Sequence, residues 1–180
     1  MDDLIISPTA DTDLSEALVV VKSAFGDDEV VTLVSDLWYD PSAHPSVSLV
    51  ARYCQRAIGY VLFTPAILKP QAATTAAILA PLAVIPEFQN RGIGGQLIDA
   101  GITLLTEQEV ALTFVLGYPE YYTRHGFQPA GRLGLQAPYP IPDKDSDAWM
   151  VRELQPEAAA AVQATVRCAR SMDQPEYWRE

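Results

Sequence analysis

Cysteine and positive charge are both scarce in this chain of 180 residues. Cys54 and Cys168 are the only two cysteines, and neither belongs to a CxxC pair or to a His/Cys cluster with metal-ligand spacing. The sequence therefore supports neither a disulfide framework nor a zinc site, and we expect no bound metal. Lysine and arginine number 12 against 23 aspartate and glutamate, a net charge of −11 that argues against a broad surface for nucleic acid or for an anionic membrane.

Long apolar runs are missing as well. The longest stretch, Ala76 to Ile85, is interrupted by Pro81 and is far shorter than the roughly 20 residues that a membrane-spanning helix needs. The first residues lack the basic region and the apolar core of a signal peptide. Hydrophobic residues make up 49% of the chain and its mean hydropathy is +0.07, which is typical of a globular protein. We expect a soluble, cytoplasmic protein in which residues 1–180 form a single domain.

Apolar periodicity predicts the strands and helices of a mixed α/β fold over most of the chain. The predicted elements are, in order, a strand at 4–6, helices at 14–25 and 30–37, a strand hairpin at 47–54 and 58–63, a buried strand at 75–84, a helix at 92–108, a buried strand at 111–117, a short helix at 119–125, and strands at 133–135 and 149–154. Cys54 falls on the hairpin, where we expect a small core residue rather than a nucleophile. The segment after Pro156 is rich in alanine, which predicts a further helix.

A glycine-rich turn joins the predicted buried strand to the helix that follows it. Gly92, Gly94 and Gly95 let the backbone turn tightly and expose several N–H groups at the positive end of the helix dipole, and Arg91 adds a cation beside them. Such a turn can cradle a phosphate. The turn lacks the lysine of an NTPase loop, and Leu97 stands where a dinucleotide-binding turn needs a small residue. The alternative is that these glycines serve only a tight turn and close helix packing.

Two ordered motifs give the chain a family resemblance. Gln89-Asn90-Arg91-Gly92-Ile93-Gly94 matches the Gln/Arg-x-x-Gly-x-Gly/Ala signature of the GNAT N-acetyltransferase superfamily. Downstream, Tyr121-Tyr122-Thr123-Arg124-His125-Gly126-Phe127 is similar to the FYxKxGF element of that family. The chain therefore resembles the GNAT N-acetyltransferases, and within them a bacterial subgroup of predicted acetyltransferases. The resemblance is strongest over residues 75–135 and does not cover residues 155–180, which form a C-terminal extension.

The resemblance implies a fold and a cofactor site. The fold would be the GNAT-like acyl-CoA N-acyltransferase fold, a mixed α/β sheet whose central strands splay apart, with acetyl-CoA lying in the opening. The pantetheine arm would pair with the strand backbone at Leu82, Ala83 and Val84, and the N–H groups of the turn would bind the pyrophosphate. The expected cofactor contacts in the two motifs are Gln89, Asn90, Arg91, Gly92, Ile93, Gly94, Gly95, Tyr121 and Arg124. Arg124 has two possible roles, which are binding the 3′-phosphate of CoA and capping its own helix.

Tyr122 is the expected catalytic residue. By resemblance it occupies the position of the tyrosine that protonates the departing CoA thiolate in many family members. A phenol with a pKa of about 10 can donate a proton to a thiolate whose conjugate acid has a pKa of about 8.5, provided that the two lie within hydrogen-bond reach. The alternatives for Tyr122 are a packed aromatic residue and a pantetheine contact, and Tyr121 is the less favoured proton donor.

The acceptor pocket has no motif of its own. The resemblance places residues 27–29 beside this pocket, where a carboxylate would steer a cationic amine, and it places the loop from Pro138 to Trp149 on the opposite wall. A solvated acidic loop is the alternative for residues 27–29. For His125, a contact at the helix end is favoured over a role as general base.

The function implied by the resemblance is transfer of an acetyl group from acetyl-CoA to a primary amine, on a small molecule or a protein, by direct attack in a ternary complex and without a metal. The alternatives are a non-catalytic acyl-CoA-binding sensor or interaction domain, and a different nucleotide binder that uses the turn at 92–95. Many relatives dimerise, so a homodimer is compatible with the resemblance. Neither a nucleic acid nor a membrane is expected as a partner.

Overall fold

Residues 3–70 and 73–179 are described by a computed structural model of the chain. The strands are β1 Leu4–Pro8, β2 Val47–Tyr53, β3 Arg56–Lys69, β4 Ala76–Val84, β5 Leu112–Leu116, β6 Gln128–Pro129, β7 Leu135–Gln136, β8 Trp149–Glu153 and β9 Ala164–Arg167. The helices are α1 Leu14–Phe25, α2 Glu29–Tyr39, α3 Ile93–Glu107 and α4 Pro119–Tyr122, the last of which continues as a 3-10 turn, Thr123–His125. No helix within these described ranges is long and apolar enough to cross a membrane.

One mixed sheet connects the strands. Its order is β1-β2-β3-β4-β5-β8-β6, with β9 paired to the far part of β3 and β7 paired to β9. The β4–β5 and β7–β9 pairs are parallel, whereas the remaining pairs are antiparallel. The predicted mixed α/β sheet is confirmed, and the elements predicted between residues 4 and 125 are present near their predicted bounds, except that β3 runs on to Lys69.

The two central strands pair over only part of their length. β4 and β5 are partners at Ala76–Ile78 and Leu112–Phe114. Beyond these residues, the described partners of β4 belong to β3 and those of β5 belong to β8. The register of β4 against β3 shifts once, beside the cis peptide bond between Ala80 and Pro81. The strands therefore separate towards their C-terminal ends, which confirms the predicted splay.

Helix α3 packs against β2 and β3 and holds the glycine-rich turn in place. A β-carbon on Gly59 would lie 2.9 Å from Leu97, and one on Gly101 would overlap the ring of Phe63, so both glycines are needed for this close approach. Full burial of one leucine or isoleucine side chain contributes about 1.5–3 kcal/mol. The apolar residues that α3 buries are Ile93, Leu97, Ile98, Ile102 and Leu105.

The predicted C-terminal helix is wrong. Residues 156–161 form turns, and the chain then enters β9, which pairs with Ile67–Lys69 at the end of β3. Two 3-10 turns follow, at Arg170–Met172 and Pro175–Trp178. The helix propensity of alanine is a weak preference, and the far end of β3 offers ladder hydrogen bonds and a fully buried position for Val166 instead.

Two smaller predictions also need correction. The strand predicted at 133–135 begins only at Leu135, because Gly131–Leu133 forms a 3-10 turn. Cys54 is exposed rather than part of the core. It forms the tight turn between β2 and β3 together with Gln55, with φ angles of 48° and 66°. A turn of this kind points its side chains into solvent, which explains the exposure.

Candidate active site

A cavity of about 1150 Å³ lies in the opening between β4 and β5. Its lining residues form two groups. Residues 78–99 and 115–125 contain the first group, which we call the cofactor side, and residues 25–33 and 172–179 contain the second, which we call the acceptor side. The predicted site residues that line the cavity are Leu82, Val84, Gln89, Asn90, Gly92, Ile93, Gly94, Gly95, Tyr121, Tyr122 and Arg124. Ala83 is buried instead, and Arg91 lies outside the lining. The structure therefore brings most of the predicted site residues together.

The turn before α3 has the geometry of an anion site. Asn90 and Gly92 adopt left-handed conformations with φ of 58° and 78°, and the helix begins at Ile93. The N–H of Gln96 donates to the carbonyl oxygen of Gly92 at 3.1 Å, which opens the helical hydrogen-bond ladder. The N–H groups of the first helical residues precede this ladder and lie at the positive end of the helix dipole. An anion at this turn would satisfy them.

The glycines of the turn also permit close packing of the second motif. A β-carbon on Gly94 would collide with the hydroxyl of Tyr121, and one on Gly95 would lie 2.7 Å from Cε1 of His125. Close helix packing, the alternative considered for these glycines, is therefore part of their role. The two roles are compatible, because packing uses the missing side chains and anion binding uses the backbone.

Two side chains of the turn have protein partners of their own. Nε2 of Gln89 donates to the carbonyl oxygen of Val84 at 2.9 Å, which ties the turn to the end of β4. The guanidinium carbon of Arg91 lies 5.1 Å from the ring centroid of Phe88, within the range of a cation–π contact. Gln89 therefore shapes the turn, whereas Arg91 stays exposed as a cation beside it.

Tyr122 and Tyr121 sit side by side at the cavity. Tyr122 is 8% exposed, and its ring packs edge-on against those of Tyr121 and Phe127, with centroids 5.1 and 5.6 Å away. Gly117 makes room for it, since a β-carbon there would lie 2.5 Å from Cε2 of Tyr122. Burial raises the pKa of Tyr121 above its usual value, the charge of Arg124 lowers it, and Asp99 raises it, so Tyr121 stays protonated at neutral pH.

Arg124 and His125 follow in the 3-10 turn. Nε of Arg124 donates to the carbonyl oxygen of Glu120 at 3.0 Å, so Arg124 caps its own helix as well as lining the cavity. The ring of His125 lies 5.0 Å from that of Tyr121 and against Gly95. The carbonyl oxygen of His125 accepts a hydrogen bond from Nη1 of Arg152 at 2.8 Å. His125 therefore packs between the two motifs and also lines the cavity, and its contact with the helix end stays a prediction.

The start of α2 forms one wall of the acceptor side. Of the acidic residues 27–29, Glu29 lines the cavity, together with apolar side chains of α1 and α2. Asp28 instead forms an exposed ion pair with Lys22 at 2.8 Å, and Oδ1 of Asp27 accepts a hydrogen bond from the N–H of Glu29 at 3.1 Å. The apolar neighbours on this wall are Phe25, Val30 and Leu33.

The wall opposite α2 is not the one predicted from the sequence. The loop from Pro138 to Trp149 does not belong to the lining among the described residues, and its acidic 3-10 turn at Asp143–Ala148 is mostly exposed. The C-terminal extension takes its place. A sequence signal for this wall exists, because two aromatic residues within an otherwise polar stretch predict burial. The residues of the wall are Met172, Glu176, Tyr177, Trp178 and Arg179.

Within the described part of the chain, no group of three or more histidine, cysteine, aspartate and glutamate residues is arranged to hold a metal ion.

Comparison with known sequences identifies relatives of this chain. Residues 44–129 match the family model of the acetyltransferase (GNAT) domain. The uncharacterised N-acetyltransferase YjhQ of Escherichia coli (strain K12) is 44% identical over 163 residues, which are 89% of this chain and 90% of that protein. The uncharacterised N-acetyltransferase YhbS of the same strain is 30% identical over 148 residues, which are 82% of this chain and 85% of that protein.

Solved structures show the same fold. The crystal structure of the GNAT family N-acetyltransferase YhbS from Escherichia coli in complex with CoA has a TM-score of 0.87 at 26% identity and covers 96% of this chain and 93% of that one. A GNAT family acetyltransferase from Brucella melitensis, in complex with acetyl-CoA, has a TM-score of 0.75 at 22% identity and covers 94% and 98%. The family-model match contains the cofactor side of the cavity and neither wall of the acceptor side.

Proposed function

Because the chain belongs to the GNAT acetyltransferase family, as its two motifs predict, we propose that it transfers an acetyl group from acetyl-CoA to a primary amine by direct attack in a ternary complex. The observation that carries this proposal is the single cavity that joins the glycine-rich turn, Tyr122 and the acceptor side. Its volume of about 1150 Å³ suits a large cosubstrate together with an acceptor, since ordinary ligand sites measure about 300–1,000 Å³. The CoA in the similar YhbS structure supports the same cosubstrate here.

The cofactor side fits two chemically distinct parts of CoA. The N–H groups of Ile93, Gly94 and Gly95 suit the pyrophosphate, because they lie at the positive end of α3. The stretch of β4 around Leu82 and Val84 lines the opening beyond its pairing with β5, so its backbone suits the amides of the pantetheine arm. Acetyl-CoA supplies an acyl group activated as a thioester, and the residues of the chain orient it.

Tyr122 is our candidate for the last proton transfer, because it lines the cavity and carries a phenol. The acceptor nitrogen forms a bond to the acyl carbon, the carbon–sulfur bond breaks, and the sulfur takes up a proton. The buried phenol of Tyr122, which lines the cavity, would donate that proton. A backbone N–H of β4 would polarise the acyl oxygen, and water or a carboxylate such as Glu29 would accept the proton of the incoming ammonium.

The acceptor side favours an amine that brings positive charge. Glu29 and Glu176 present carboxylates at this side, against one arginine, Arg179. The net charge of −11 acts in the same direction, because it attracts cations over a longer range. We expect amines on basic or neutral substrates to be better acceptors than amines on acidic ones.

The proposal treats residues 1–180 as one functional domain, because the cavity is lined from residue 25 to residue 179 and one sheet joins β1 to β9. A cytoplasmic location in a bacterium and a homodimer stay predictions. Light scattering during size-exclusion chromatography checks the dimer directly.

Isothermal titration with acetyl-CoA, combined with a screen for thiol release over chemically diverse amines, tests the proposed function. We expect saturable binding of acetyl-CoA and amine-dependent release of CoA well above the rate without amine. Binding without turnover on any amine would instead favour the alternative, an acyl-CoA sensor or interaction domain. Absence of CoA binding would contradict both.

A further inference from the structure

The C-terminal wall, which we define as residues Arg170–Arg179, is an unusual part of the cavity. It lies far from both motifs in sequence and outside the matched family region, yet Met172, Glu176, Tyr177 and Trp178 line the site. The wall consists of two short 3-10 turns, which cannot fold by themselves. Its position must therefore depend on contacts with the rest of the chain.

Asp40 provides the first of these contacts. Its carboxylate is 7% exposed and follows α2. Oδ2 accepts hydrogen bonds from the N–H and the hydroxyl of Ser171 at 2.9 and 3.0 Å. Oδ1 accepts from the N–H and the hydroxyl of Ser42 at 2.8 and 2.7 Å. The N–H of Arg170 in turn donates to the hydroxyl oxygen of Ser42 at 2.9 Å, so Asp40 and Ser42 together fix the start of the wall.

Trp178 provides the second contact. It is 2% exposed, and its Nε1 donates to the carbonyl oxygen of Met172 at 3.1 Å, which closes the wall on itself. Its ring lies edge-on at 5.6 Å from Trp149, whose own ring stacks on Phe114 of β5 at 5.1 Å. The wall is thus packed against the core beneath one of the two strands that form the opening.

We infer that the C-terminal wall determines acceptor specificity and that Asp40 is a positioning residue, which acts on the acceptor only by holding the wall against the cavity. This inference rests on the proposed function. Asp40 itself is not among the lining residues described for the cavity, so it has no direct contact with a ligand there. Its loss should weaken acceptor binding and leave the cofactor side unchanged.

The hydrogen bonds between Asp40 and Ser171 form what we call the anchor of the C-terminal wall. The variants Asp40→Asn and Ser171→Ala test this anchor, and Tyr177→Ala tests the wall itself. Asp143→Asn, an exposed carboxylate, is the matched control for the change of charge. We expect Asp40→Asn to raise the KM of the best amine about tenfold, while the KM of acetyl-CoA changes less than about twofold. Ser171→Ala, which keeps the backbone hydrogen bond, should give about a threefold rise, and Tyr177→Ala about a fivefold rise.

The rate of tryptic cleavage after Arg170, followed by mass spectrometry, shows how firmly the C-terminal wall is held, and the experiment needs no acceptor. We expect Asp40→Asn and Ser171→Ala to be cut faster than wild type and Asp143→Asn to be cut at the wild-type rate. If Asp40→Asn does not fold, as judged by circular dichroism, Ser171→Ala decides the question.

Two results separate this inference from the proposed function. Suppose that the wild-type protein turns over amines and that Asp40→Asn or Ser171→Ala is cut faster by trypsin. If the KM of the amine is nevertheless unchanged in every one of these variants and in Tyr177→Ala, this inference is wrong and the proposed function stands. Equal rises in the KM of amine and of acetyl-CoA also overturn it. A wild-type protein without amine-dependent turnover overturns the proposed function, and this inference with it.

Discussion

The cofactor side and the acceptor side of the cavity are built in opposite ways. The glycine-rich turn is assembled from neighbours in sequence, as in the hydrogen bond from Gln89 to Val84, which spans five positions. The acceptor side joins segments that are far apart in sequence, and the hydrogen bonds that hold its C-terminal wall, from Ser171 to Asp40, span 131 positions. The family model matches residues 44–129, and so includes only the first of the two. The glycine-rich turn therefore depends mainly on contacts between residues close in sequence, whereas the C-terminal wall depends on contacts with residues more than 100 positions away.

Changes on the cofactor side should affect the reaction of every acceptor. The largest expected effect is that of Tyr122→Phe, which removes the proton donor and should lower kcat about 100-fold with little change in the KM of acetyl-CoA. Steady-state kinetics of thiol release at saturating amine measure it. Tyr121→Phe is the matched control and should retain most of the activity. A larger loss in Tyr121→Phe than in Tyr122→Phe would transfer the role to Tyr121.

Changes at the anchor of the acceptor side should appear first as lost stability. Asp40→Asn replaces a buried carboxylate that accepts several hydrogen bonds, so we expect about 2 kcal/mol less free energy of unfolding at pH 7. Burial raises the pKa of Asp40, but the hydrogen bonds from Ser42 and Ser171 outweigh it and hold the pKa at about 2, below the usual 3.8. This stabilisation is fully present above pH 4 and is lost as the pH falls towards 2. Urea unfolding of both proteins at pH 6 and pH 3 should therefore show a smaller difference at pH 3, and a constant difference would contradict the assignment.

Gly94→Ala tests whether the backbone of the glycine-rich turn sets the affinity for CoA. The new β-carbon would collide with the hydroxyl of Tyr121, so either the Tyr121 ring or the first turn of α3 has to move within the proposed CoA site. We expect the Kd of CoA to rise about tenfold, or ~1.4 kcal/mol. Gly131→Ala is the control, because a β-carbon there meets nothing within 4 Å. Isothermal titration measures both, and equal affinities would show that the turn does not set CoA binding.

The smallest expected effect is that of Arg91→Gln. Arg91 is exposed, and interactions of exposed charges contribute about 0.2–1 kcal/mol. We expect the Kd of CoA to rise about threefold at low salt, with the difference shrinking at high salt because of screening. Arg132→Gln, an exposed arginine paired with Asp147, serves as the control. A difference that does not depend on salt would mean that Arg91 acts through packing on Phe88.

The sequence predictions are more accurate for the cofactor side than for the acceptor side. The apolar stripe of α3 and the spacing of the two motifs are properties of short stretches, and the structure has the turn, the helix and both tyrosines where they predict them. Strand β9 is different, because its alanine-rich surroundings favour a helix and only its pairing with Ile67–Lys69 makes it a strand. The replacement of the loop at 138–149 by the C-terminal wall is a similar case. Its best local signal was the pair Tyr177 and Trp178.

Family membership, the mixed α/β fold and most residues that line the cofactor side could be predicted from the amino-acid sequence, because periodicity, glycine spacing and helix polarity act over a few residues. The scarcity of positive charge is compatible with CoA binding, since in the proposed function backbone N–H groups would provide the anion site. Tertiary structure decided the acceptor side. Glu29 and Tyr177 line one cavity in a structure in which Asp40 is buried, β9 pairs with β3, and Trp178 packs on Trp149. Such contacts join segments whose meeting depends on the packing of the whole chain, and no local pattern encodes which segments will meet.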